Sequence, residues 1–153
     1  MKIVLQRVKM SSVTVDGCVI GKIEQGLMLL IGFGKEDLEN SSISIDQKID
    51  KAIEKILNLR IFSNESGKLD YSVLDIAGEI LAVPQFTLYG QAQKGRRPDF
   101  GLSMAPETAK ECFDRFVTKL SLSEIRRVQT GEFGANMQVM LVNDGPFTLN
   151  LNY

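Results

Sequence analysis

The run Leu27-Met28-Leu29-Leu30-Ile31-Gly32-Phe33 contains no polar side chain. Introduced by Gln25-Gly26 and too short for a typical helix, it suits a central strand buried inside a sheet. Its flanks supply the neighbours such a strand needs. Residues 3–8 and 13–15 are rich in β-branched side chains, Asp16-Gly17 is a tight-turn signal, and residues 19–23 continue the β-meander. The period then changes. Ile45, Ile49, Ala52, Ile53, Ile56 and Leu57 recur at three- and four-residue spacing, which predicts one face of an amphipathic helix. Ser44 and Gln47 form a capping box at its start. Residues 64–68 combine Asn, Ser and Gly and read as a turn. Residues 80–88 form a further strand interrupted by Pro84, which has no N–H to donate and so marks a strand end, an edge or a bulge. Pro106 is well placed as the first residue of a second helix, with Ala109, Cys112, Phe113, Phe116 and Leu120 on its inner face. From residue 125 strands return: residues 138–142, a turn at Asn143-Asp144-Gly145-Pro146, then residues 147–151. This order predicts an α+β fold, with two main helices packed on largely antiparallel, barrel-like sheets in a single domain over residues 1–153.

One absence limits the chemistry. The chain has no histidine, which excludes a Ser-His-Asp triad, a Cys-His dyad and a histidine-based zinc site. The acidic residues show no metal-ligand spacing, and no cofactor is implied. With 44% hydrophobic and 24% charged residues the composition is that of a globular protein. No stretch approaches the ~20 apolar residues that would span a bilayer. The opening, Met1 to Arg7, reads as a first strand and not as a signal peptide. Cys18 and Cys112 lie far apart without a CxxC partner, so a reducing cytoplasm is expected, with both thiols acting as packing groups. The net charge of −1 does not point to nucleic acid. Lys94, Arg96 and Arg97 are the exception, a cluster that reads either as a solvated loop or as a phosphate-contacting one.

Two segments look unlike scaffolding. Pro84-Gln85-Phe86-Thr87-Leu88 ends a strand in polar groups, and Asn143-Asp144-Gly145-Pro146-Phe147-Thr148 lies between two good strands. Read alone, each is an ordinary strand end or hairpin turn. Taken with Gln6-Arg7-Val8, Ser12-Val13-Thr14-Val15, Leu59-Arg60-Ile61-Phe62, Lys94-Gly95-Arg96-Arg97-Pro98, Thr130-Gly131 and Met137-Gln138-Val139, in this order, they make essentially the whole chain resemble the D-aminoacyl-tRNA deacylases, also called D-tyrosyl-tRNA deacylases. The chain departs from that family at Pro84, where serine is usual. The position is read as shaping backbone.

The resemblance implies a homodimer with active sites near the interface, acting on D-aminoacyl-tRNA. It places Gly145 and Pro146 of one subunit in the pocket of the other as a cis-peptide filter. Their carbonyl oxygens would meet the side chain of an L-amino acid and leave a D-residue untouched. Glycine has no side chain to reject, so glycyl-tRNA mischarged on alanine tRNA is an expected second substrate. For the chemistry, the backbone N–H groups of Phe86 and Thr87, beside Gln85, can supply oxyanion donors. The base is then the 2′-hydroxyl of the substrate's terminal ribose, with a covalent Thr87 as the rival. Arg7 is read as a brace for the Gly-Pro segment or as a surface ion pair, and Pro84 and Thr148 as supporting residues. Lys94, Arg96 and Arg97 become phosphate contacts. Phe133 and Met137 belong either to the core, the favoured reading, or to an adenosine pocket. A small-molecule esterase and a dimeric RNA-binding module without turnover are the alternatives.

Overall fold

The computed structural model describes residues 1–38, 43–93 and 95–153. The apolar run forms β3 (Gly26–Gly32), buried along nearly its whole length. It sits inside a sheet with β1 (Lys2–Val15), β2 (Cys18–Ile23), β6 (Glu79–Pro84), β7 (Arg127–Thr130) and β8 (Met137–Asn152). The sheet order is β2-β1-β3-β6-β7, with β8 on β1. All three ladders made by β1 are antiparallel, whereas β3·β6 and β6·β7 are parallel. A short hairpin of β4 (Phe62–Ser63) and β5 (Leu69–Tyr71) encloses the expected turn, where Asn64 Oδ1 accepts from the Ser66 and Lys68 N–H groups.

β1 is one long strand, where the sequence suggests two. Its middle hides this, because Ser11 and Ser12 are polar yet buried, and the Ser11 hydroxyl donates to the Met140 carbonyl. Asp16 and Gly17, both at positive φ, then turn the chain into β2. β2 curls back towards β7, so that a Cβ on Gly21 would stand 2.9 Å from the Thr130 carbonyl oxygen. Only glycine allows this approach, which nearly closes the sheet into a barrel.

Two helices cover one face. α1 (Ile45–Asn58) starts at the expected capping box: the Gln47 N–H donates to Ser44 Oγ and the Ser44 N–H to Gln47 Oε1. α2 (Pro106–Ser121) has Pro106 as its first residue. Their inner faces meet β1, β3 and β6 in the main core, around Leu5, Leu29, Ile49, Ile56, Phe113 and Phe116. A second cluster, including Val8, Val13, Ile23, Met28, Leu81 and Val83, fills the curl of the sheet. Cys112 packs in the main core against Met104. Cys18, expected as a packing group, is instead exposed: it follows the β1–β2 turn at the start of β2, the outermost strand of the sheet order. No helix among the described residues is long and apolar enough to cross a membrane.

Two expected elements differ. The strand over residues 80–88 stops at Pro84, because β3 ends there and offers no further partner. The Gln85 N–H makes the last bond, to the Ile31 carbonyl, and residues Phe86–Tyr89 coil into a 3-10 turn. The hairpin turn at residues 143–146 is not a hairpin either. β8 runs antiparallel along β1 for its whole length, and the segment is an excursion from one continuous strand. Gln6 pairs with Thr148 and Val8 with Asn143, so Arg7 alone faces residues 144–147. A turn-rich motif followed by a second strand has the same local signature in either case; the partner strand decides between them.

Candidate active site

Pro84 and Gln85 carry the chain from β6 into the 3-10 turn, and the turn's first residues lie in the open. Phe86 is 53% exposed and Thr87 is exposed beside it. A turn of this kind leaves its leading N–H groups without partners inside the turn. Among the described residues neither the Phe86 nor the Thr87 N–H has an acceptor. Gln85 Nε2 donates to Thr87 Oγ1 at 2.5 Å, and Ser103 Oγ donates to the Phe86 carbonyl at 3.2 Å. The Phe86 ring stands edge-on to Phe100, centroids 5.2 Å apart.

A cavity opens on each side of this corner. The larger, about 450 Å³, is bounded by Pro84, Phe86, Phe100, Met104, Phe133 and Lys35, among others, and is mostly apolar. The smaller, about 220 Å³, runs past Pro84, Gln85 and Phe86 to Met137 and Val139. Phe133 and Met137, favoured above as core residues, are both half-buried, packing on core at one side and lining a cavity at the other. Local pattern does not separate these roles, because a cavity wall needs the same apolar side chains as a core.

Behind the turn stands a buried polar cluster that sequence reading missed. Tyr89 donates its hydroxyl to Asp37 at 3.1 Å. Asp37 also accepts from Lys48 Nζ, from the Gly34 N–H and from the α-amino group of Met1. Burial alone would raise the Asp37 carboxyl, but these donors hold it below its ordinary value. Burial first, and then the Asp37 carboxylate, push the Tyr89 hydroxyl far up, so it stays a neutral donor. Asp37 and Lys48 sit in segments that look like solvated charge. Only the odd placement of Lys48 beside Ile49 on the apolar face of α1 hinted at burial.

The excursion in β8 is the second part. Gly145 and Pro146 are exposed and their peptide bond is cis, as the resemblance implies. Gly145 takes φ +143°, a conformation that favours glycine. Arg7 spans the base of the excursion. Its Nε donates to the Asp144 carbonyl at 2.9 Å, an Nη donates to the Ile61 carbonyl, and its guanidinium lies 5.1 Å from the Phe147 ring centroid. The alternative of a surface ion pair is also present in part, since Arg7 Nε lies 3.4 Å from an Asp144 carboxylate oxygen, but the Arg7 side chain is largely buried. Asn143 Oδ1 accepts from the Phe147 N–H at 2.6 Å, and Thr148 Oγ1 accepts from Gln6 and Asn143 amides. No hydrogen bond, ion pair or ring contact joins Gly145 or Pro146 to residues 85–87 among the described residues.

The basic loop follows the turn. Gln91 and Asp99 close its neck with paired backbone hydrogen bonds of 2.7 and 2.9 Å, next to Phe100 at the cavity. Arg96 and Arg97 are exposed on it, while Lys94 lies outside the described residues. Among the described residues no three His, Cys, Asp or Glu side chains are grouped as a metal ion would require.

Fold and site together define the class: an α+β protein whose open backbone donors stand at the mouth of an apolar cleft. The D-Tyr-tRNA(Tyr) deacylase family model matches residues 4–152. Among curated relatives, the D-aminoacyl-tRNA deacylase of Thermosipho africanus is 50% identical over 99% of this chain and 97% of its own. That of Brevibacillus brevis is 49% identical over 97% of each. Among solved structures, a c-Myc DNA unwinding element binding protein is 43% identical over 100% of this chain and 99% of its own, with TM-score 0.84. A probable eukaryotic D-amino acid tRNA deacylase has TM-score 0.85 at 21% identity, and so shares the fold. The chain belongs to the D-Tyr-tRNA(Tyr) deacylase family.

Proposed function

We propose that this chain hydrolyses the ester joining a D-amino acid to the 3′ end of tRNA. The observation that carries the reading is the pair of acceptor-free N–H groups, at Phe86 and Thr87, on the rim of an apolar cavity. Such donors stabilise the oxyanion that forms when water adds to the ester carbonyl carbon, and losing one typically costs ~10²–10³ in rate. The bond from that carbon to the ribose 3′ oxygen then breaks. The proton lost by water passes to the departing oxygen, relayed by the neighbouring 2′-hydroxyl. That route needs no histidine, and the chain has none. The 450 Å³ cavity, with Phe86, Phe100 and Phe133 on its walls, suits the terminal adenine.

Selectivity falls to the excursion. Gly145 and Pro146 are exposed and, among the described residues, make no hydrogen bond, ion pair or ring contact with the turn of their own subunit, so in this reading they enter the cleft of a second copy. Among the described residues β8 pairs only with β1 in the sheet, and exposed Met140 and Val142 lie along it, which gives a homodimer an edge and an apolar surface to use. Backbone oxygens set against the α-carbon would reject an L side chain by contact. They leave the accepted side chain outside, so many D-residues are tolerated, and glycine on alanine tRNA is a second substrate. Arg96 and Arg97 serve as phosphate contacts. The setting is the cytoplasm, where the charged tRNA pool is found.

Matched D-Tyr-tRNA and L-Tyr-tRNA, with Gly-tRNA(Ala) as a third substrate and chelator present, test the reading. Release of tyrosine from the D-form and of glycine, with the L-form intact, is the expected result. Equal release of D- and L-tyrosine would overturn the filter. Tight tRNA binding without release would instead favour a nucleic-acid-binding module, a reading that the name of the 43% identical structure also suggests.

A further inference from the structure

We propose that Lys35 reads the last phosphodiester of the acceptor end, the one on the 5′ side of the terminal nucleoside. The inference rests on the reading above, that this nucleoside occupies the cavity beside Phe86. Lys35 is the one charged side chain among the described residues that bound that cavity; the remaining walls are apolar apart from Ser103. The Ser103 hydroxyl is already committed to the Phe86 carbonyl. Lys35 is exposed and has no ion-pair partner among the described residues. Its backbone is nevertheless fixed. The Lys35 N–H donates to the Leu102 carbonyl at 3.0 Å, and Gly34 forms an antiparallel bridge with Ser103, which also lines the cavity. Asp37, two residues on, is turned inward onto Lys48 and Tyr89, so it does not neutralise Lys35.

A lysine of fixed backbone whose ammonium has no ion-pair partner among the described residues, at an apolar mouth, matches a ligand with a flat apolar end and one charge a sugar's length behind it. A nucleoside 5′-linked to a polynucleotide has that form. The base fills the cavity by dispersion and stacking, its ester faces the Phe86 and Thr87 amides, and its single phosphodiester charge is left at the rim, within reach of a lysine. The contact would make the enzyme favour a polynucleotide end over a free aminoacyl nucleoside without touching the reacting atoms.

The test compares two substrates, D-Tyr-tRNA and 3′-O-(D-tyrosyl)adenosine, which keeps the ester and base but has no phosphate. Lys35→Met retains the aliphatic stem and removes the charge; Lys35→Arg retains the charge. The expected result for Lys35→Met is a KM for D-Tyr-tRNA raised about tenfold with kcat unchanged. The slope of log KM against log salt should fall by about 0.7, the release of one counterion from a single strand. Hydrolysis of the nucleoside ester should move less than about twofold, and Lys35→Arg should restore most of the tRNA KM. Equal losses on both substrates would place Lys35 at the reacting end or in the fold and overturn the proposal, as would an unchanged KM and salt slope on tRNA. Should the unaltered protein cleave neither substrate, the underlying reading fails, a result distinct from either.

Discussion

The two segments that frame the proposed reaction are held in opposite ways. The 3-10 turn has a buried wall behind it: Tyr89 and Asp37 are each 2% exposed, and the Asp37 carboxylate accepts from Tyr89, Lys48, Gly34 and the Met1 amine. The β8 excursion has solvent in front of it and the largely buried Arg7 beneath, with exposed Lys9 4.0 Å from the Asp144 carboxylate. Arg7 fixes Asp144 and Asn143 closes the loop onto Phe147, while Gly145 and Pro146 stay uncovered. A wall of paired buried charge is costly to break and insensitive to substrate. A brace on an exposed loop contributes less to folding and more to where two oxygens point. Stability and selectivity should therefore respond to different residues.

The largest effect is expected at the wall. Asp37→Ala leaves Lys48 buried without its carboxylate and the α-amino group with only the Tyr153 carbonyl, which costs about 3–5 kcal/mol. Urea denaturation measures it, and a cost below about 1 kcal/mol would erase the contrast. Acid should reproduce the loss. The folded Asp37 carboxyl titrates below its ordinary 3.8, so its contribution is fully present above that value. It fades as pH falls through the lower folded value, and the gap between the two proteins should narrow there.

At the brace the order reverses. Arg7→Ala removes the bonds to Asp144 and Ile61, costing about 1–3 kcal/mol in stability but about a hundredfold in kcat/KM on D-Tyr-tRNA, because a displacement of ~1 Å is enough for that. Single-turnover rates on folded protein decide it. A loss in stability equal to that of Asp37→Ala, with activity retained, would make Arg7 part of the wall.

The same contrast sets how much could be read from the chain beforehand. The wall's scaffold is local: the period of α1, the Ser44–Gln47 box, Pro106 and the run in β3 each act over a few residues, and each is where pattern places it. What pattern could not supply is pairing across distance. Residues 143–146 carry every sign of a hairpin turn, and only the register of β8 on β1 makes them an excursion over Arg7. Residues 85–88 carry β-forming side chains, yet β3 stops and the strand stops with it. Asp37 carries little local sign of burial, because three of its four donors, Met1, Lys48 and Tyr89, come from distant parts of the chain. The proposed site residues came from family resemblance, which carries such distant pairings in the motif.

A smaller effect tests whether the basic loop belongs to either region. Arg96→Glu with Arg97→Glu, on an exposed loop closed by the Gln91–Asp99 backbone pair, should leave thermal stability within about 0.5 kcal/mol. Binding of tRNA should weaken, with a salt slope flatter by about 1.4–1.8 if two phosphates are lost. Filter binding across salt concentrations reads this, and an unchanged slope would set both residues away from the RNA.

The smallest effect is expected at the residue that looks most like a catalyst. Thr87 is exposed on the turn, and its hydroxyl is engaged by Gln85 Nε2. An unactivated threonine is a poor nucleophile, and the chain has no histidine to take its proton. What Thr87 brings to the proposed reaction is its backbone N–H, which alanine also has. Thr87→Ala should therefore keep kcat on D-Tyr-tRNA within about tenfold, the loss expected if only the hydrogen bond with Gln85 goes. A decrease of a thousandfold or more, with circular dichroism unchanged, would mean the hydroxyl takes part in bond making. The wall behind Tyr89 would then be orienting a side chain, where this reading has it orienting a pair of amides.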